Sequence, residues 1–228
     1  MCTVVVSWAP QAPVLVLALR DELVGRAFDD PGPWWADQPD VHGGRDRTAG
    51  GSWCVTGVAT GVTALVLNRP QRRFAAAGAA SRGVLPLLAA AHGRDWPDHV
   101  DLPGMASFAL VLVGPDALTE WVYDGAELTA RDLPPGTHMV TSGGAEDGKE
   151  GRYLAEFAAD ATAEAWRGLV VGRQPQDDPA ALVVRHATPD AVYATVFGQV
   201  IESQPGRVAL SWSRTPWDGA SWTRQLLS

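Results

Sequence analysis

The sequence predicts an α+β fold built mainly from antiparallel sheet, and three observations carry that reading. Strand-like segments follow one another in runs, Thr3 to Trp8 then Val14 to Arg20 at the start and four more between Ala106 and Thr141, as in meanders and unlike βαβ units. Two segments have helical composition, 78–92 and Arg152 to Trp166, and they are grouped instead of alternating with strands. Glycine and proline, at 24 and 17 residues, punctuate the chain often but stay short of low-complexity levels.

Taken in order, the first pair of segments is a β-branched run, a break at Ala9-Pro10-Gln11-Ala12-Pro13, and a second apolar run, which predicts two paired strands. Phe28 to Gly51 is dense in Pro, Gly, Asp and Trp and predicts a long loop, packed through Trp34 and Trp35. Strands are expected at Ser52 to Val58 and Val62 to Asn68, followed by the helix over 78–92, with Pro86 near its first turn. The next four strands are expected at Ala106 to Val113, Leu118 to Tyr123, Glu127 to Leu133 and Thr137 to Thr141, with Asp124-Gly125 as a hairpin turn. Arg152 to Trp166 places Tyr153, Leu154, Phe157, Ala158, Ala161 and Ala165 near a 3.6-residue period and predicts one helix. Strands at Leu182 to Arg185, Ala191 to Ile201 and Arg207 to Trp212 complete a single expected domain over 1–228.

Composition excludes several function classes. Of the residues, 46% are hydrophobic and 19% charged, enough for a sizeable core. Eighteen basic against 26 acidic residues leave a net charge of −8, which disfavours nucleic acid and anionic membrane surfaces as partners. Cys2 and Cys54 make no disulfide framework and point to a reducing compartment. No apolar run reaches the roughly 18 residues a membrane span needs, and no basic stretch precedes Val14 to Leu19 as in a signal peptide, so a cytoplasmic location is expected. Metal and cofactor fingerprints are missing, and none is predicted: the chain has no H-E-x-x-H, C-x-x-C, G-x-S-x-G or G-x-G-x-x-G. The sequence carries no signal for oligomeric state.

Cys2 is the sharpest candidate for chemistry. Once Met1 is removed, a thiol and a free α-amine lie on one residue, and the amine, of pKa about 7.7–8.0, can serve as the base for its own nucleophile. The plainer alternative is a small residue that begins a strand. Arg20-Asp21-Glu22 closes the second strand: an arginine there can bind a substrate carboxylate and Asp21 can orient the α-amine, whereas a charged strand end is more often simply solvated. His42-Gly43-Gly44-Arg45-Asp46 and Ala49-Gly50-Gly51-Ser52-Trp53 read as a shaped loop locked by Trp53, and are a poor metal site. Gly143 to Lys149 matches G-x-x-x-x-G-K, but Glu150 stands where Ser or Thr is needed and Glu146 and Asp147 would repel phosphate, so an exposed acidic turn ahead of a helix is expected. Trp212, Trp217 and Trp222 form either an aromatic platform or packing residues.

The order of blocks resembles the NRDE family, whose eukaryotic members are the transport and Golgi organisation protein 2 group. Met-Cys begins the chain, two apolar strands end in Arg20-Asp21-Glu22, and Gly43-Gly44-Arg45-Asp46, Gly50-Gly51-Ser52-Trp53 and Leu67-Asn68-Arg69-Pro70 follow. The resemblance implies the four-layer αββα sandwich of N-terminal nucleophile hydrolases, which cleave linear amides with residue 2. It implies Cys2 as nucleophile, Arg20 and Asp21 beside it, and Asn68 as a donor to an oxyanion; Glu22, Arg45 and Ser142 are expected to bind substrate. The chain departs from the family at Leu19, where the namesake asparagine is missing, at Gly143, where an asparagine would follow the serine, and at Ala191 to Thr195, which lacks an arginine. The implied function is hydrolysis of a small linear amide. The alternatives are a non-catalytic pocket for haem, lipid or another hydrophobic ligand, and a trafficking adaptor.

Overall fold

The computed structural model describes residues 2–70, 76, 78–144 and 148–228. Strands β1 (Thr3–Trp8) and β2 (Val14–Leu23) pair antiparallel, and nearly every residue of both is buried. Their side chains divide by parity: Val4, Val6, Val14, Val16 and Ala18 enter one apolar cluster, Val5, Leu15, Leu17 and Leu19 another. A strand covered on both faces reads as a continuous apolar run, which is why these segments show no alternation. Each fully buried Val or Leu in such a layer contributes about 1.5–3 kcal/mol.

One sheet continues through β10 (Gly136–Thr141), β11 (Arg185–Ala187), β12 (Val192–Gln204), β13 (Arg207–Ser213) and β14 (Thr223–Leu227), in the order β10-β1-β2-β12-β13-β14 with β11 on β12. The second sheet is a meander of β3 (Phe28–Gly32), β4 (Val41–Asp46), β5 (Cys54–Gly57), β6 (Thr63–Asn68), β7 (Phe108–Val113), β8 (Leu118–Tyr123) and β9 (Leu128–Asp132). The sheets face each other across Val4, Val16, Leu65, Leu67, Val111 and their neighbours. Helix α1 (Leu85–His92) covers the outer face of the meander through Leu85, Leu87 and Ala89, with Trp96 beside it. Helices α2 (Lys149–Ala159) and α3 (Ala163–Val170) cover the other sheet through Tyr153, Phe157, Trp166 and Val170. The layers therefore run αββα, as the resemblance implies. Among the described residues, no helix is long and apolar enough to cross a membrane.

Two local expectations need correction. The segment 28–51 is only partly loop: it contains the pair β3 and β4, in irregular register between Asp29 and Gly32, and of the two tryptophans expected to pack it Trp34 is exposed. Asp-Asp-Pro-Gly is tolerated there because β3 is an edge strand, where a proline costs no ladder bond. The expected helix 152–166 is two: it starts at Lys149, stops at Ala159, and restarts where the Thr162 hydroxyl accepts the Ala165 N–H at 3.2 Å. The expected acidic turn bears on Ala145 to Asp147, which lie outside the described residues; Lys149, which ends the G-x-x-x-x-G-K spacing, is fully buried. The three late tryptophans form no common platform, since Trp212 packs between the sheets and Trp217 and Trp222 under the helices.

Candidate active site at Cys2

Register places Cys2. Thr3 pairs with Leu19 of β2 on one side and Thr141 of β10 on the other, so residue 2 falls between Arg20 and Ser142. The Ser142 N–H donates to the Cys2 carbonyl at 3.0 Å, and the Cys2 N–H donates to Ser142 Oγ at 2.8 Å. The thiol lies 3.8 Å from the Asp21 carbonyl oxygen, which it meets as a weak donor. Burial, followed by the Asp21 charge, pushes the thiol above its ordinary value, against a smaller opposing pull from Arg20. Met1, on whose removal a free amine depends, lies outside the described residues.

Arg20 and Asp21 point to opposite faces of β2, as successive strand residues must. Arg20, only 5% exposed, lies over Trp53 at 4.4 Å and Phe28 at 5.2 Å, with Glu22 at 3.4 Å and Asp46 at 3.7 Å. Burial lowers its affinity for the proton, while Glu22 and Asp46 work the other way. Asp21 faces the helices: its Oδ1 accepts the Thr195 hydroxyl at 2.6 Å, and its Oδ2 is 3.7 Å from Lys149 Nζ, which also donates to Thr3 Oγ1 at 3.0 Å. Burial raises the Asp21 carboxyl and Lys149 opposes it. A bulge in β12 between Thr195 and Phe197, opposite Arg20 and Asp21, brings Thr195 to the carboxylate.

Two cavities meet at Cys2, and both are also lined by Asn68. The larger, about 540 Å³, is walled by Pro70, Ser142, Pro179, Val184, His186 and Tyr193. The smaller, about 110 Å³, is walled by Arg20, Glu22, Arg26, Asp46, Trp53 and Arg82. Of the expected site residues, Cys2, Arg20, Asp21, Glu22, Asn68 and Ser142 come together. Arg45 does not: it is held by Asp29 at 2.7 Å, lies 4.7 Å over Trp34, and lines neither cavity. The paired glycines serve close packing, since a Cβ on Gly44 would stand 2.3 Å from the Trp53 ring and one on Gly51 2.4 Å from the Gly83 backbone.

Lys149, Thr195, Arg82 and Tyr193 escaped sequence reasoning. A lone lysine at a helix start was the available signal for Lys149; Thr195 and Arg82 reach the site only through a bulge and a 3-10 turn. Among the described residues no group of His, Cys, Asp and Glu is arranged to hold a metal.

The αββα layers define the N-terminal nucleophile hydrolase class of fold. In agreement, the chain is similar to the solved Caenorhabditis elegans ortholog of N-acylethanolamine-hydrolyzing acid amidase, with a TM-score of 0.50 and 9% identity over 96% of this chain and 95% of that one. At that identity the likeness speaks for the fold alone. The family model described as Transport and Golgi organisation 2 matches residues 1–143, and the chain belongs to that family. No curated protein matches it.

Proposed function

We propose that the chain is an N-terminal-cysteine amidohydrolase acting on a small linear amide. The observation that carries this reading is the place of Cys2, where two cavities meet beside Asn68 and Ser142. Removal of Met1 frees the α-amine. That amine takes the Sγ proton, which the half-buried thiol holds more tightly than an ordinary one. The thiolate attacks the amide carbonyl, and the Asn68 side-chain amide, which makes no hydrogen bond to a described residue, is available to the oxyanion. Collapse breaks the C–N bond, the ammonium returns the proton to the departing amine, and water then cleaves the thioester to the acid and the free thiol. Arg20 and Asp21 hold the end of β2 against Cys2, Asp21 from the face where Lys149 and Thr195 fix it. A single domain over 1–228 belongs to this reading, since β12 to β14 close the sheet that β1 and β2 begin. The free thiols of Cys2 and Cys54 support a reducing compartment such as the cytoplasm.

The test is amine release from N-acyl amides by protein lacking Met1, compared with Cys2→Ser and Cys2→Ala. Release lost in both variants supports the assignment, and release that survives Cys2→Ala contradicts it.

The larger cavity favours a second reading, a carrier of a hydrophobic ligand, because Pro70, Pro179, Val184 and Tyr193 line it. For haem, His186 is available on its wall, with Nδ1 2.7 Å from Asp177 Oδ1. Titration followed by visible absorbance, with His186→Ala and Cys2→Ala as controls, separates this reading from the first.

A further inference from the structure

The two cavities that meet at Cys2 differ in chemistry. The smaller is lined by Arg20, Arg26 and Arg82 and by Asp21, Glu22 and Asp46. Five of these six charges are accounted for nearby. Asp21 faces Lys149 at 3.7 Å; Asp46 meets Arg26 at 2.6 Å and Arg20 at 3.7 Å; Glu22 meets Arg20 at 3.4 Å and Arg26 at 3.8 Å. Arg82 is left over: its guanidinium donates to the Ser107 carbonyl at 2.8 Å and lies within 4.0 Å of no carboxylate among the described residues.

The same walls hold an excess of donors. Arg20 Nη1 and Trp53 Nε1 are buried and have no hydrogen-bond partner among the described residues. Buried donors are rarely left unmade, because each forfeits its hydration. A cavity with one surplus positive charge and two unmet donors fits a group that is anionic and made of acceptors. Its volume, about 110 Å³, admits a group of a few heavy atoms and no long chain. The larger cavity also has Arg69, Asp177, Asp178 and His186 in its wall, but the surface it presents is mostly apolar, with Pro70, Pro179, Val184 and Tyr193, and suits an apolar chain.

We propose that the site takes an N-acyl amino acid, with the apolar acyl chain in the larger cavity and the carboxylate of a small amino acid in the smaller one, on Arg82, Arg20 and Trp53. The linking amide then lies against Cys2, which both cavities share. This deepens the amidohydrolase reading and rests on it for the bond that is cut; recognition of the carboxylate does not depend on cleavage.

The experiment therefore separates binding from turnover. Binding of N-decanoylglycine and of its neutral counterpart N-decanoylethanolamine is measured by calorimetry on the full chain carrying Cys2→Ala. The glycine conjugate is expected to bind more tightly by about tenfold or more, the scale of a charge-assisted hydrogen bond. Adding Arg82→Gln should reduce the ratio to about threefold or less, while Arg82→Lys should retain more of it. The first comparison needs no change at Arg82, so it decides the matter even where Arg82→Gln fails to fold. Equal affinities, tighter binding of the ethanolamide, binding of neither, or a ratio unchanged by Arg82→Gln overturns the proposal. Cleavage is followed separately with Cys2 intact. A binding preference without cleavage keeps the carboxylate site and removes the hydrolase, whereas equal cleavage of both amides without a binding preference does the reverse.

Discussion

Replacing Lys149 by Met keeps most of the side-chain volume and removes the charge that faces Asp21. Lys149 is fully buried and 3.7 Å from an aspartate that is 2% exposed. Taking one partner out of such a pair costs about 3–5 kcal/mol, because the remaining charge keeps its desolvation penalty. For a chain of this length that is about 6–20 °C in Tm. The assay is urea unfolding at neutral pH of the wild type, Lys149→Met, Asp21→Asn and the double variant. The double variant should be more stable than Lys149→Met by more than about 1 kcal/mol, since the carboxylate is gone with its cation. The sign with pH follows from Asp21, whose carboxyl burial already raises above 3.8 and which loses an opposing charge in the variant. The deficit of Lys149→Met should therefore be smallest in acid, where Asp21 is protonated in both states, and should grow as pH rises through the folded-state value. A loss under about 1 kcal/mol, or a double variant no better than the single, refutes the reasoning.

Three further outcomes are expected. The Asp46 carboxyl is raised by burial but lowered on balance, by Arg26 and the Thr48 and Ala49 amides, below its usual 3.8; its contribution is full above that pH and lost as pH falls, so Asp46→Asn should lower stability at neutral pH and flatten the acid limb of the stability curve. Gly44→Ala puts a Cβ 2.3 Å from the Trp53 ring, and should cost about 1–3 kcal/mol and shift the tryptophan emission, because the ring must leave the Arg20 face. Iodoacetamide should label Cys2 slowly at neutral pH while Met1 is retained, since burial holds the proton on sulfur, and faster once Met1 is removed, with an inflection near the amine pKa of about 7.7–8.0; equal rates in the two forms contradict the amine's role.

The strands of the two sheets were legible where both faces are covered, because Val14 to Leu19 and Phe108 to Val113 are unbroken apolar runs. The edge strand Phe28–Gly32 was not, since at an edge one row of backbone groups is unpaired and Asp-Asp-Pro-Gly carries no strand signal. The site divided in the same way. Cys2 directly precedes β1, and Arg20 and Asp21 lie on β2, whose pairing with β1 a short connection dictates; Asn68 ends β6 and Ser142 follows β10. Lys149, Thr195 and Arg82 are set by a helix seating, a bulge and a 3-10 turn, all products of tertiary packing. Arg45 was drawn in by its block of glycines, and its charge is spent on Asp29.

The central claim is that Cys2, with its amine freed, forms an acyl-enzyme. Intact-mass spectrometry of the purified chain after brief exposure to an activated N-acyl amide, quenched in acid, tests it most directly. The account predicts a protein without Met1 that carries one acyl group, lost on longer incubation and never formed in Cys2→Ala. A chain that retains Met1, or the same acyl adduct on Cys2→Ala, would contradict it.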